Sequence, residues 1–206
     1  MSELRVWEHG TVLETLRPPD PPLSDGVVTL RLPDVERDAQ TTIAIAEDPE
    51  IQRWVLGGRP RPKDPHAALE EQLELWRRAT DAIFSIDAAG HEQRVGLLRV
   101  LYGLVNPFGF AELGYSLLPE GRGRGYATRA VRLAADWVFD ELGVGRLQAR
   151  TTVGNVASER VLERAGFQRE GIARAGWVLP VTGERQDVTM WSLLPSDRGW
   201  AEPSLA

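Results

Sequence analysis

Residues 113–119 read LGYSLLP, and residues 121–127, one position further on, read GRGRGYA. The first run has the apolar character of a strand, and the positions after the second keep a helical period. A helix that begins at such a turn leaves its first N–H groups without intrahelical partners, at the positive end of the helix dipole. Glycines in the turn let the main chain approach an anion closely, because no Cβ intervenes. The stretch therefore predicts an anion site, to which Arg122 and Arg124 could add charge-assisted bonds.

The glycine spacing excludes two common nucleotide-binding turns. Starting from Gly121 or Gly123, the dinucleotide fingerprint requires glycine at position 126 or 128, where the chain has Tyr126 and Thr128. No Lys-Ser or Lys-Thr pair follows at the spacing of a nucleoside triphosphate loop. The turn on its own is therefore either a site for another phosphate-bearing ligand or a plain tight connection.

Outward from this turn, the apolar pattern predicts strands and helices in the order βααβββαβαββ. Three consecutive strands without an intervening helix indicate an antiparallel meander, and the last two strands indicate a hairpin. This order is typical of an α+β fold, in which a mixed sheet carries helices on both faces. The predicted strands are residues 27–32, 82–87, 93–102, 109–118, 146–152, 167–179 and 184–194, and the predicted helices are residues 34–48, 64–80, 123–142 and 155–165.

Length and composition favour a single domain. A chain of 206 residues with 42% hydrophobic residues can bury one sizeable core but hardly two. Prolines cluster before residue 23, so residues 1–26 are predicted to form an N-terminal arm with at most a short strand near Val6. Residues 27–195 are predicted to form the domain, and residues 196–206 a flexible tail.

Several classes of site are excluded by residue content. The chain has no cysteine, which excludes disulfides, thiolate zinc sites and a cysteine nucleophile. His9, His66 and His91 lack metal-ligand spacing and are expected to be solvated surface residues, so no metal is predicted. The net charge of −6, without an arginine-rich block, argues against nucleic acid as a partner. No signal peptide or membrane-length apolar run is visible, which predicts a cytoplasmic protein that binds no membrane.

Two stretches resemble the GNAT superfamily of N-acetyltransferases. Arg122, Gly125 and Ala127 match its central signature of Arg or Gln, two residues, Gly, one residue, and Gly or Ala. Residues 155–167, NVASERVLERAGF, resemble the family's Asn-containing helix that ends in Gly-Phe. Two motifs in the right order are more specific than either alone. The resemblance covers residues 27–195, and the sequence ELGY before the turn favours the branch that acetylates the serine or alanine N-termini of ribosomal proteins and related amines.

The resemblance implies a seven-stranded, mostly antiparallel sheet whose strands splay apart at a site for acetyl-CoA, the expected cosubstrate. Pantetheine would insert into the splay and bind the main chain of Leu117 and Leu118. Asn155 would hold pantetheine through its amide, although Asn is equally suited to an ordinary N-cap. Ser158 is expected near the CoA sulfur. The pyrophosphate would lie on the amides of Arg122, Gly123, Arg124, Gly125, Tyr126, Ala127 and Thr128.

Acetyl transfer to an amine requires a base, because aliphatic amines are mostly protonated at neutral pH. Glu112 is the candidate base, since a central strand would accept an apolar residue at lower cost, and the alternative is an ion pair with a neighbouring arginine. For the general acid, the position where many family members have tyrosine is Leu162 here. Ser158 is then the candidate, with Tyr115 in reserve and an N–H of the splayed strand as the oxyanion donor.

The acceptor is expected between the first two helices and the closing hairpin. Trp54 and Trp177 are predicted to line this site, whereas Trp76 has the helical spacing of a core residue. Residues 183–187, GERQD, resemble a stretch common in the ribosomal-protein branch. We expect this stretch to have a structural role.

The main hypothesis is an enzyme that moves acetyl from acetyl-CoA to an amine, by direct attack in a ternary complex. The amine would be a protein N-terminus or a small molecule, and the enzyme a monomer or a homodimer. Because the expected tyrosine is missing, a non-catalytic CoA-binding module or sensor is the alternative. A structural domain with a tight turn is a third possibility.

Overall fold

The computed structural model describes residues 16–101 and 109–199, together with two short strands at residues 5–7 and 10–12. The helices are α1 (Ala39–Glu47), α2 (Pro49–Ile51), α3 (Pro65–Arg77), α4 (Tyr126–Asp140) and α5 (Val156–Arg164). A π-helical turn, Gln52–Leu56, continues α2. The strands are β1 (Arg5–Trp7), β2 (Gly10–Val12), β3 (Leu23–Ser24), β4 (Val28–Arg31), β5 (Asp81–Ala88), β6 (Gly96–Leu101), β7 (Phe110–Leu117), β8 (Arg146–Thr152), β9 (Gln168–Val178) and β10 (Arg185–Leu193).

The main sheet has eight strands in the order β3-β4-β5-β6-β7-β8-β10-β9, and β1 pairs with β2 in a separate small sheet. Only the β7–β8 pair of the main sheet is parallel, and the other pairs are antiparallel. The predicted mixed, mostly antiparallel architecture is therefore confirmed. The sheet gains its eighth strand from Leu23–Ser24, which pairs with β4 and is too short to show a periodicity in the sequence.

The core lies between α4 and the sheet. Helix α4 buries a continuous apolar stripe that includes Ala130, Ala134 and Val138, as its helical period predicts. Trp76 is also a core residue: it is 2% exposed, stacks edge-on against Phe84 and donates its indole N–H to the Ile83 carbonyl at 2.8 Å. This packing confirms the assignment of Trp76 to the core and fixes α3 on β5.

The helix predicted at residues 34–48 begins at Ala39, next to a buried ionic network. Asp38 accepts hydrogen bonds from the Arg31 guanidinium, the Ser85 hydroxyl and the Asp34 amide, so α1 begins only after it. The fully buried Arg94 lies beside Asp38 and donates to Thr41 at 2.7 Å. Burial lowers the pKa of Arg94 to about 10, which leaves the side chain cationic at neutral pH and its charge balanced by Asp38.

Both flanks of the predicted domain contact it. Strand β3 lies within the range predicted as an N-terminal arm, and Arg198 in the predicted tail pairs with Asp136 and Asp140 of α4. The proposed boundaries at residues 27 and 195 stay a prediction. None of the described helices is long and apolar enough to cross a membrane, and the cytoplasmic location likewise stays a prediction.

Candidate active site

The parallel strands β7 and β8 part in the middle of the sheet. They pair from Phe110 opposite Arg146 to Leu113 opposite Ala149, but both strands continue beyond that point. Over the remaining length β7 still pairs with β6, and β8 still pairs with β10. The sheet therefore contains a gap, defined here as the opening between residues 114–117 of β7 and 150–152 of β8.

Main-chain groups of β7 face this gap at alternate residues. Leu118 donates its N–H to the Val95 carbonyl at 2.8 Å, on the β6 side of the strand rather than toward the gap. Strand alternation then directs the main-chain groups of Leu117 and Tyr115 toward the gap. Of the two leucines predicted to bind pantetheine, Leu117 is thus the one whose main-chain groups face the gap, although its carbonyl already accepts the Arg122 Nε–H. Tyr115 is a second residue with this orientation, which sequence reasoning missed.

The glycine-rich turn leads from the end of β7 into α4. Gly123 and Gly125 have φ of +72° and +78°, and a Cβ added at either would meet nothing within 4 Å. The helical ladder begins with the Arg129 N–H, which donates to the Gly125 carbonyl at 3.2 Å. At Gly123 and Gly125 no Cβ blocks approach to the main chain, and the positive end of α4 lies behind the turn, which suits an anionic group.

The two arginines of the turn differ. The Arg122 amide donates to the Pro119 carbonyl at 3.2 Å, its Nε donates to the Leu117 carbonyl at 2.9 Å, and its guanidinium pairs with Asp48. These contacts direct Arg122 inward, to hold the turn, rather than toward the space above it. Arg124 is exposed and lies next to the two left-handed glycines.

Tyr115 and Ser158 meet across the gap. The Tyr115 hydroxyl lies 2.9 Å from the Ser158 Oγ and 3.1 Å from the Ser158 carbonyl oxygen. Burial raises the pKa of the Tyr115 phenol above its usual range despite the hydrogen bond with Ser158, so the phenol keeps its proton at neutral pH. The two candidate acids are therefore one hydrogen-bonded pair.

Asn155 caps α5 by accepting the Ser158 N–H at 3.2 Å. This confirms the N-cap interpretation and leaves the amide NH2 of Asn155 for other partners.

Glu112 forms an ion pair with Arg150, the arrangement predicted as the alternative to a catalytic base. Its carboxylate accepts from Arg150 Nη2 at 2.6 Å and from Gln148 Nε2 at 3.0 Å, and its side chain is 12% exposed. The Arg150 guanidinium in turn lies over the ring of Trp177, 5.4 Å from its centroid. Gln148 and Arg150 occupy the same face of β8 at two-residue spacing, a pattern that could have identified them as partners of a strand glutamate.

The acceptor-side elements contact one another at Gly57, which follows the π-helical turn. A Cβ added there would lie 2.9 Å from Leu179 Cδ2, so this segment packs directly on the β9–β10 turn. Trp54 lies on the π-helical turn, half-buried, and donates its indole N–H to Glu50 at 2.9 Å. The structure does not bring Trp54 into contact with Trp177, but each lies on one of the two elements expected to border the acceptor.

Among the described residues, no cluster of histidine and acidic side chains could hold a metal ion. His66 is exposed, near Glu36 and Asp64. His91 is half-buried and its ring meets Tyr126 edge-on, with 5.8 Å between centroids, so it is more than a solvated surface residue. His9 lies outside the described residues.

Comparison with known proteins identifies the family of this fold. The family model described as "Acetyltransferase (GNAT) domain" matches residues 28–168. The chain belongs to this acetyltransferase family. Among its relatives, "Putative ribosomal N-acetyltransferase YdaF" of Bacillus subtilis is 31% identical over 81% of the chain and 91% of that protein. "Probable N-acetyltransferase YjcK" of the same organism is 34% identical over 63% of the chain and 70% of that protein.

A solved structure supports the same fold. The Microcin C7 self immunity acetyltransferase MccE, in complex with acetyl-CoA and AMP, superposes with a TM-score of 0.72 at 18% identity, over 85% of this chain and 99% of the chain in that structure. The acetyltransferase described here is therefore an acetyl-CoA-dependent enzyme of the GNAT family. Its relatives are named as N-acetyltransferases, which favours catalysis over a non-catalytic CoA-binding role.

Proposed function

We propose that this acetyltransferase moves acetyl from acetyl-CoA to the N-terminal amine of a protein, by direct attack in a ternary complex. One observation carries the assignment of the site. The gap between β7 and β8 has a hydrogen-bonded Tyr115–Ser158 pair at its side, the Glu112–Arg150 pair close to where the strands part, and the glycine-rich turn at the end of β7.

The cofactor would be held mainly by main chain. Leu117 and Tyr115 would offer their main-chain groups to pantetheine, because alternation turns them toward the gap. The pyrophosphate would lie on the amides of residues 123–128, since the left-handed glycines leave the space above them open. Arg124 is exposed and would add charge, while Arg122 would keep the turn in shape through Leu117 and Asp48.

Glu112 would act as the base, directly or through a water molecule. The three hydrogen bonds that its carboxylate receives from Arg150 and Gln148 fix its orientation at the point where the strands part. A carboxylate accepts at about four lone-pair positions, so one remains for the proton of the amine or of a bridging water. The ionised carboxylate that pairs with Arg150 is also the form that can accept a proton.

The Tyr115–Ser158 pair would hydrogen-bond the departing thiolate. The Ser158 hydroxyl would donate to sulfur and the Tyr115 phenol to Ser158; because burial raises the pKa of Tyr115, the pair would relay a proton drawn from solvent rather than lose one of its own. Tyr115 and Glu112 are three residues apart on β7, so this relay acts from the face of the sheet opposite Glu112. It would also explain how the enzyme functions with Leu162 where many family members have tyrosine, because the phenol comes from β7 instead.

A protein N-terminus is the favoured acceptor because the relative YdaF is named as a putative ribosomal N-acetyltransferase. Trp177 and Arg150 form a stacked pair beside Glu112, a surface on which an extended peptide could lie. Small-molecule amines such as polyamines or aminoglycosides are the competing acceptor class.

The proposal is tested in two steps with the full chain. CoA is first titrated by calorimetry and thermal shift, where binding to the folded state raises the melting temperature with the logarithm of the ligand concentration above Kd. Released thiol is then measured with acetyl-CoA and a panel of alanine- and serine-initiated peptides, polyamines and aminoglycosides. Peptide-dependent thiol release with an acetylated N-terminus in mass spectrometry is expected. Release with small amines alone would overturn the acceptor assignment, and CoA binding without release for any amine would overturn catalysis.

A further inference from the structure

Asp48 is a buried carboxylate shared by the two sides of the proposed site. Its side chain is 6% exposed, and it caps α2 by accepting the Ile51 N–H at 2.9 Å. Its second partner is the Arg122 guanidinium. Burial alone would raise the pKa of Asp48, but the hydrogen bonds from Arg122 and from the α2 amides outweigh it and hold that pKa below its usual value. Asp48 is therefore an anion at neutral pH.

Arg122 connects this carboxylate to the cofactor turn. Its Nε donates to the Leu117 carbonyl at 2.9 Å, at the end of the strand that borders the gap, and its amide closes the turn on Pro119 at 3.2 Å. An apolar contact runs parallel to the ion pair, because Leu118 packs with Ile51 in a small buried cluster. Two adjacent residues of the strand end are thus tied to α2 through two different interactions.

The segment that Asp48 caps borders the proposed acceptor site. Residues 49–56 comprise α2 and the π-helical turn, which carries Trp54. At its other end, Gly57 adopts a left-handed conformation with φ of +58° and packs on Leu179 of the closing hairpin. A π-helical turn is an irregular structure held by its surroundings and often found at functional sites. Its position is set by Asp48 at one end and by the hairpin at the other.

We propose that Asp48 is a positioning residue: through Arg122 it couples occupancy of the cofactor turn to the order of residues 49–56, so that acetyl-CoA prepares the acceptor side. The inference rests on the proposed function, because it requires CoA to bind at the turn. A ligand that orders the turn stabilises the Arg122 conformation that pairs with Asp48, and linkage then stabilises the segment capped by Asp48.

A second N-cap in the same chain provides a matched control. Asp64 precedes Pro65 as Asp48 precedes Pro49, and it caps α3 by accepting the His66 N–H at 2.9 Å. Its side chain is 64% exposed and lies near the His66 ring rather than an arginine. Asn is as good an N-cap as Asp, so Asp→Asn at either position keeps the cap and removes the charge. Only at Asp48 does that charge reach the cofactor turn.

The experiment is hydrogen exchange of the full chain with and without CoA, analysed for amides of residues 51–57. In the wild type and in Asp64→Asn, saturating CoA is expected to slow exchange at least about fivefold, the lower end of typical coupling between sites. In Asp48→Asn this protection is expected to be lost, even at a CoA concentration that calorimetry shows to saturate that variant.

Arg122→Gln removes the arginine partner of Asp48. It controls for a local effect of the Asp48→Asn substitution on α2. It should also abolish the CoA-dependent protection, and the double variant should add nothing further, because both changes break one interaction. Retained protection in Asp48→Asn, or a wild type that binds CoA without protecting residues 51–57, would overturn the inference and leave the proposed function intact. A wild type that fails to bind CoA in calorimetry would overturn both.

Discussion

The cofactor side and the acceptor side of the gap are built from different materials. On the cofactor side, the geometry comes from the main chain: Gly123 and Gly125 hold positive φ angles, and a Cβ added at either would meet nothing within 4 Å. On the acceptor side, it comes from side chains brought together from distant positions, as in the Glu112–Arg150 pair and the stacking of Arg150 on Trp177. A site formed by main-chain groups is encoded by a short contiguous motif that can be recognised in the sequence. A site formed by side chains depends on which strands become neighbours in the fold.

The largest expected effect comes from removing the carboxylate on the acceptor side. Glu112→Gln should lower kcat at least about 100-fold, since general-base catalysis typically contributes 10²–10⁴, with the Kd for CoA unchanged. Steady-state thiol release and CoA calorimetry measure the two quantities.

Glu170→Gln is the matched control for that change, because Glu170 also pairs with an arginine, Arg146 of β8, at 2.7 Å. It should keep near-normal kcat. Equal losses in the two variants would show that Glu112 serves only as an ion-pair partner.

The second effect tests the main-chain nature of the cofactor side. Gly125→Ala places a Cβ on a residue with φ of +78° at the start of α4, where the strain of a left-handed conformation is about 1–2 kcal/mol. Relief of that strain would move the amides, so CoA affinity should fall about tenfold, equivalent to about 1.4 kcal/mol. Calorimetry with CoA measures the loss.

Gly143 lies just past the other end of α4, with φ of +63° and nothing within 4 Å of an added Cβ. Gly143→Ala should therefore cost similar stability but leave CoA affinity at the wild-type value. If both variants weaken CoA binding to the same extent, the loss at Gly125 reflects general destabilisation of the helix and not the geometry of the turn.

These contrasts explain how far the sequence could predict the molecule. The order of helices and strands followed from periodicity, and strand β8 was predicted with its bounds at residues 146–152, because strict alternation and flanking turns mark it. The first helix was predicted to start too early, since Asp38 uses its carboxylate to bind Arg31 and Ser85 across the sheet. Contacts of that kind depend on tertiary packing, which the local pattern does not encode.

The candidate site shows the same division. The glycine turn and the Asn155 helix were found from contiguous motifs, and the structure places both beside the gap. Arg150, Gln148 and Asp48 were missed, although each contacts a residue that was predicted. Asp187 of residues 183–187 accepts the Ala175 N–H at 2.8 Å across the hairpin, and a structural role for this stretch stays a prediction. What the sequence could not supply was the register that pairs β7 with β8.

A third and smaller effect tests whether Tyr115 and Ser158 act together. Tyr115→Phe should lower kcat about fivefold with little change in KM, the effect expected from losing one hydrogen bond of about 1 kcal/mol. Ser158→Ala should have a similar effect. Because each hydroxyl works through the other, the double variant should resemble either single variant. Strictly multiplicative losses in thiol-release kinetics would contradict a shared proton relay.

The smallest effect concerns how the closing hairpin is held at the end of the sheet where β8 begins. Glu170 of β9 accepts two hydrogen bonds from Arg146 and one from Ser192, and these bonds lower its pKa to about 2. A carboxylate whose pKa is lower in the folded state stabilises the fold at pH values above its pKa in the unfolded chain, which is about 4.3. This contribution disappears as the pH falls toward about 2. The Glu170 side chain is 40% exposed, so the pair should contribute about 0.2–1 kcal/mol. Denaturant unfolding should therefore show Glu170→Gln slightly less stable than wild type at neutral pH, with the difference shrinking between about pH 4 and pH 2. A constant difference across that range would indicate that the packing of the Glu170 side chain, and not its charge, is responsible.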